Sequence, residues 1–206
     1  KEVPEDFVVE EIPAYEPSGT GNHVYVRFTK RDLPTDAAVR AIARALGVDA
    51  RNAGVAGMKD KRAVTTQTIS LEPARGQSPD ELAERALALA LPGITVHAAK
   101  RHGNKLKTGH LHGNRFDLRV KRLTPAEAER VVARGELAQK SGVPNAFGEQ
   151  RFGREKDNAE RALAILAGKE PEPRDKRLLR LLWSALQSDI FNRVLDARVA
   201  AGTWAT

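Results

Sequence analysis

An aspartate flanked by lysines is where this chain could do chemistry. In "GVAGMKDKRAVTTQTISL", residues 54–71, Asp60 lies between Lys59 and Lys61, three residues after Gly57 and ahead of an alternating, strand-like segment. Charges between strands can simply keep a turn hydrated. Alternatively, two ammonium groups favour the ionised carboxylate and can also engage phosphates, so the lysines would serve both a catalyst and an anionic substrate. One carboxylate with no second acid, metal partner or His relay suits nucleophilic attack or proton abstraction at a sugar carbon. It does not suit two-carboxylate glycoside hydrolysis.

Other residues admit the same two readings. Asn114 and Phe116 in "GNRF" read as a turn amide and a core aromatic. They also read as an amide that meets the polar edge of an extruded base and a ring that stacks on its face. Phe7 in "PEDF" has the same ambiguity. His102, His110 and His112 lack a carboxylate at ligand spacing and lie in a cationic segment that repels a metal cation, so a phosphate-contacting loop is the better expectation and no metal is expected. Neither "GxxxxGK[ST]" nor "GxGxxG" occurs, so phosphate-loop and dinucleotide chemistries have no support.

The elements that would position these residues follow from periodicity. "FVVEEI" and "HVYVRFT" read as strands, with Val24, Val26 and Phe28 on one face. Thr35 opens an Ala-rich helix that stops at Gly47, placed for a left-handed residue after the last turn. "SPDE" from Ser78 and "TPAE" from Thr124 read as capping boxes with Pro at the first helical position. Between them, residues 94–98 and 115–121 read as strands joined by the basic "KRHGNKLKTGHLHGN". Strands grouped around helices without a strict βαβ rhythm predict an α+β sheet with helices on one face. After Gly142 the Gly, Asn and Arg-rich "GVPNAFGEQRFGREKDN" reads as a functional loop or domain junction. Beyond Pro171 and Pro173 a long helix carries Leu178, Leu182, Trp183, Leu186, Ile190, Val194 and Leu195 on its apolar side.

Composition narrows the partner. The 206 residues include 34 Lys and Arg against 27 Asp and Glu, a net charge of +7 that favours a polyanion, with nucleic acid the leading candidate. The absence of Cys excludes disulfides, thiolate metal sites and thiol catalysis. The charged start and an apolar run confined to residues 86–91 predict no membrane partner and a cytoplasmic protein.

"PEDFVVEE", "AGMKDKRAVTTQ", "HGNKLKTGHLHGNRFDLRV" and "GVPNAFGEQRFG", in that order and spread along much of the chain, resemble the TruD family of tRNA pseudouridine synthases. The resemblance implies a catalytic domain of the pseudouridine synthase type, with a mixed sheet and helices, interrupted by a helical or α+β insertion domain. It implies domains at residues 1–142 and 143–206, isomerisation of uridine 13 in tRNA, no cofactor, and a monomer once complete. By motif, Asp60 falls on the essential aspartate, Phe7 on the aromatic of the first strand, Asn114 and Phe116 on the positions facing the flipped base, and Lys1 on a basic position that reaches the site. Lys59 and Lys61 fall beside the aspartate as substrate contacts. The family's chain returns from the insertion to finish the catalytic sheet, and this one stops at Thr206 without that returning segment. The expected fold therefore lacks its C-terminal portion and exposes strand-edge groups. Two rivals remain: a non-catalytic RNA-binding module, and an assembly protein that uses the long helix as a partner face.

Overall fold

A computed structural model describes residues 1–204. It divides the chain into two compact units, Lys1–Arg122 and Leu123–Thr206.

The first unit is built on a mixed sheet of β1 (Phe7–Pro13), β2 (His23–Arg31), β3 (Gly54–Val55), β4 (Val64–Leu71), β5 (Ile94–His102) and β6 (Leu111–Leu118). The strand order is β5-β2-β4-β1-β6, with β3 paired to β4; β1 and β4 are parallel and the other pairs antiparallel. Helices α1 (Thr35–Leu46) and α2 (Pro79–Leu87) complete the unit. Its class is α+β.

Register decides which side chains share a face, because residues paired across strands point the same way. Val24 pairs with Leu71, Val26 with Ile69, Phe28 with Gln67 and Lys30 with Thr65. Thr65 pairs in turn with Val9, and Val9 with Phe116. One face therefore runs from Val24, Val26, Phe28 and Lys30 on β2 to Phe7, Val9 and Glu11 on β1 and to Asn114 and Phe116 on β6. The two helices cover part of it. Ala38, Val39, Ile42 and Leu46 of α1 and Leu82 and Ala86 of α2 pack on Val24, Val26, Phe28, Ile69, Leu71 and Ile94. No residue of β1 or β6 belongs to that cluster.

Local signals set the helix ends. Gly47 closes α1 in the left-handed conformation, φ +72°, where its amide returns to the Ala43 and Arg44 carbonyls. Ser78 accepts from the Glu81 amide at 3.1 Å to start α2, without a return bond from Glu81. Gly54 is required by close approach: a Cβ there would overlap the Leu106 carbonyl and Ser70 Oγ. The 103–110 loop thus docks on β3, with the Leu106 amide donating to Ser70 Oγ at 2.9 Å.

Strands β5 and β6 differ from expectation. β5 runs on to His102 and β6 begins at Leu111, so both ends of the basic segment are strand and only residues 103–110 remain loop. Pairing with β1 sets the limits of β6, from Phe7 opposite Leu118 to Pro13 opposite Leu111. Asn114 is a strand residue within that ladder, not a turn amide.

The second unit holds α3 (Pro125–Ser141), α4 (Asn158–Leu166) and α5 (Lys176–Ala200). Thr124 and Glu127 form the full reciprocal box: Glu127 N donates to Thr124 Oγ1 at 3.4 Å and Thr124 N to Glu127 Oε2 at 2.8 Å. Ala162 and Ile165 of α4 pack on Leu182 of α5, bordered by Leu178, Trp183 and Leu186. Ile190 and Val194, expected on the same apolar side, are 54% and 55% exposed. The 143–153 segment is pinned to α5 by Phe147, whose amide donates to Asn192 Oδ1 at 2.8 Å while Asn192 Nδ2 donates to the Phe147 carbonyl at 2.9 Å.

Candidate active site

The loop between β3 and β4 carries Asp60, and it is held from beneath. Lys59 turns inward: its ammonium meets Glu11 Oε2 at 2.7 Å, with the two side chains 6% and 1% exposed. The other Glu11 oxygen accepts from the Thr68 amide at 3.1 Å. Thr35 Oγ1 accepts from the Lys59 amide at 3.0 Å and donates to Gln67 Oε1 at 3.0 Å, linking the loop to the start of α1 and to β4. Lys30, wholly buried at the end of its apolar row, donates to the Asp60 carbonyl at 2.8 Å. Burial pushes the Lys30 ammonium down to about 8, and the like charge of Lys59 adds to this, while attraction to Asp60 opposes it. Asp60 and Lys61 face solvent. A buried polar scaffold therefore presents an exposed carboxylate.

The two lysines beside Asp60 are not equivalent. Lys59 is engaged by a buried carboxylate and anchors the loop, which leaves Lys61 as the flanking cation open to solvent.

The aromatic residues gather on the same face. The Phe7 and Phe116 rings stack with centroids 6.0 Å apart and planes 3° from parallel, and Lys1 Nζ lies 3.8 Å from the Phe7 centroid. Phe116 is 57% exposed, so the core reading of this ring does not hold. Asn114 pairs in register with Glu11, next to the Lys59 anchor, and its Oδ1 is buried without a partner. A buried acceptor with no donor is the kind of group a ligand's N–H would satisfy.

Asp6 holds the N-terminal turn that brings Lys1 over Phe7. It accepts from the Glu2 and Val3 amides at 2.8 and 3.1 Å and pairs with Lys121 at 2.7 Å. Lys121 and these amides hold its carboxyl well below the usual carboxylate range. Phe7, Phe116 and Asn114 thus share one face with Glu11, which holds Lys59, while Lys1 lies over Phe7 and Asp60 and Lys61 follow Lys59 on the loop.

His102 and His110 lie elsewhere. Tyr25 pairs with Lys100 and His23 with His102, so these side chains occupy the opposite face. There Tyr15 stacks on His102 with centroids 5.2 Å apart, and its hydroxyl lies 2.7 Å from His110 Nδ1. Burial, with the Tyr15 hydroxyl, pushes the Tyr25 phenol upward. A pocket of ≈ 350 Å³ opens beside this cluster, lined in part by Arg27, Lys100 and Leu106. His112 is exposed. Among the described residues no group of three or more His, Asp or Glu is placed to hold a metal ion, and no helix is long and apolar enough to cross a membrane.

Sequence reasoning passed over Glu11, Lys30, Thr35 and Asp6. Alternation did carry a signal for two of them. Glu11 continues the row of Phe7 and Val9, and Lys30 the row of Val24, Val26 and Phe28, so each puts a charge on an otherwise inward face.

A mixed sheet with helices over part of one face, and on the rest stacked rings and a buried Glu11–Lys59 pair that leads to a loop carboxylate, defines an α+β protein with a candidate carboxylate-centred site. Residues 1–173 match the family model described as tRNA pseudouridine synthase D (TruD), and the chain belongs to that family. A relative from Anaeromyxobacter sp. (strain Fw109-5), named tRNA pseudouridine synthase D, is 48% identical over 209 residues, which cover 98% of this chain and 57% of the relative. One of the same name from Geobacter sp. (strain M21) is 48% identical over 166 residues, 81% of this chain and 40% of the relative. A crystal structure from Methanosarcina mazei, described as a candidate tRNA pseudouridine synthase D, superposes with a TM-score of 0.69 at 27% identity, over 98% of this chain and 53% of that one. The chain spans a little over half the length of the first of these relatives.

Proposed function

We propose that this chain supplies the Asp60-bearing part of an enzyme that isomerises uridine to pseudouridine in tRNA, at the family's target, uridine 13. Membership of the TruD family supports the substrate class. The observation that carries the reading is the presentation of Asp60: exposed, on a loop fixed by the Glu11–Lys59 pair, with Glu11 on the same face as the Phe7–Phe116 stack and the unpartnered Asn114 oxygen. The bond from ribose to uracil nitrogen breaks, the base turns, and a bond to carbon 5 forms as the proton there leaves. Asp60 acts on the sugar or the base as nucleophile, or on the 2′ proton as base. Phe116 and Phe7 stack the extruded uracil, Asn114 meets its polar edge, and Lys61 and Lys1 hold phosphates. No cofactor takes part. The insertion domain begins near Val143, and the complete protein works as a cytoplasmic monomer.

Incubating the full-length protein with tRNA tritiated at carbon 5 of uracil tests this. Release of tritium is expected; tight tRNA binding without release would identify the RNA-binding module instead. With about four phosphate contacts, affinity should fall with salt at a log–log slope near −3. A flat titration would favour the assembly-protein rival.

A further inference from the structure

Lys30 stands out because burying an ammonium is costly and this one has no side-chain carboxylate as its hydrogen-bond acceptor. Its side chain is fully buried, and its acceptor is the main-chain carbonyl of Asp60 itself, at 2.8 Å. Desolvation of this kind is tolerated where the charge fixes something else. We propose that Lys30 is a positioning residue for the reaction: its ammonium pins the main chain at Asp60 and thereby sets the direction of the carboxylate. The proposal rests on Asp60 being the reacting group.

The surroundings support this. Lys30 ends the β2 row that begins with Val24, Val26 and Phe28, so the strand delivers a rigid stem to the underside of the loop. Its neighbours across the ladder, Thr65 on β4 and Ile94 on β5, are uncharged. The charged groups that act on it are Asp60 and Lys59, both on the loop, and Lys59 is neutralised by Glu11 of β1. The Asp60 loop is therefore gripped at successive residues: Lys59 by its side chain, through Glu11, and Asp60 by its carbonyl, through Lys30. Two adjacent anchors fix both the position and the rotation of the peptide between them. Without Lys30 the Glu11 and Thr35 contacts still hold Lys59, so the loop keeps its place and the carboxylate can swing.

The ammonium loses its proton near pH 8 against an ordinary 10.5, because burial favours the neutral amine. The linkage has a definite sign. Between those values the unfolded chain binds more protons than the folded one, so this group's contribution to global stability rises with pH. Over the same range the charge-assisted bond to the Asp60 carbonyl is lost. A structural lysine and a positioning lysine thus diverge: stability does not fall above pH 8, while the rate does.

The test uses the full-length protein, with Lys30→Met as an apolar replacement and Lys30→Arg as a cation that keeps its charge. Deuterium exchange, normalised to unstructured peptide rates, is followed over residues 57–63 and over β4. Lys30→Met is expected to speed exchange in the loop roughly tenfold or more and leave β4 protected. Tritium release should then drop roughly 10²-fold in kcat, as a small misplacement of a reacting group does, with KM for tRNA nearly unchanged. Wild-type kcat should fall above about pH 8 while the melting temperature holds. Lys30→Arg should move that alkaline limb upward. Unaltered loop exchange in Lys30→Met, or a wild-type rate flat through pH 9, overturns the proposal. If Lys30→Met does not fold, loop exchange in the wild type on either side of pH 8 decides alone: unchanged exchange refutes the anchor. If wild-type protein releases no tritium at all, the functional reading fails, and the exchange measurement still decides whether Lys30 holds the loop.

Discussion

The sheet face that carries Asp60's partners has two halves, and they solve different problems. Under α1 and α2 the row is Val24, Val26, Phe28, Ile69, Leu71 and Ile94, none more than 7% exposed. Toward β1 and β6 the same pleat presents Phe7, Glu11, Asn114 and Phe116. Between them Lys30, Thr65 and Gln67 are as buried as any core residue and yet polar. The polarity of this face therefore marks where helix packing stops and the proposed site starts. Burial alone would not show this, since Glu11 and Phe28 are equally enclosed.

The halves should respond to mutation in opposite currencies. Phe28→Ala, under the helices, is expected to cost about 4 kcal/mol of stability and leave the rate of the folded fraction unchanged; denaturant unfolding with single-turnover kinetics measures both. A lowered rate in the folded fraction would mean that the covered half shapes the site. Glu11→Gln, at the boundary, should show both effects. It strands the buried Lys59 ammonium at a cost of about 3 kcal/mol and loosens the Asp60 loop. Loss of stability with full turnover would place Glu11 wholly on the structural side.

Phe116→Leu belongs to the open half. Because the ring is 57% exposed, melting should barely move. Turnover should lose the worth of a base–aromatic stack, about 1 to 3 kcal/mol. A lower melting point at an unchanged rate would return Phe116 to the core. The smallest effect is expected outside the sheet: Thr124→Ala removes the capping box of α3 and should cost about 1 kcal/mol in stability, with no change in rate.

What the sequence made legible was what local chemistry dictates. Gly47 ends α1 and Thr124 with Glu127 starts α3 because those residues act within a turn of themselves. Alternation placed β1, β2 and the helix-covered face. The limits of β6 were not legible, since they are set by pairing with β1 rather than by the residues of β6. The unlike fates of Lys59 and Lys61 were hidden for the same reason. They share neighbours in the chain, and what separates them is Glu11, on a distant strand. Asp60 itself stood out, but the scaffold beneath it is made of contacts between β1, β2, β4 and α1 that no local pattern encodes.

The division of the face is tested most directly by Asp60→Asn in the full-length protein, with melting temperature and tritium release from C5-labelled tRNA measured on one preparation. The side chain is exposed and near-isosteric with its replacement, so melting should stay within a degree or two. Release should fall on the order of 10⁴-fold or more, a barrier increase above about 5 kcal/mol. Release within tenfold of wild type would contradict the assignment of chemistry to this loop.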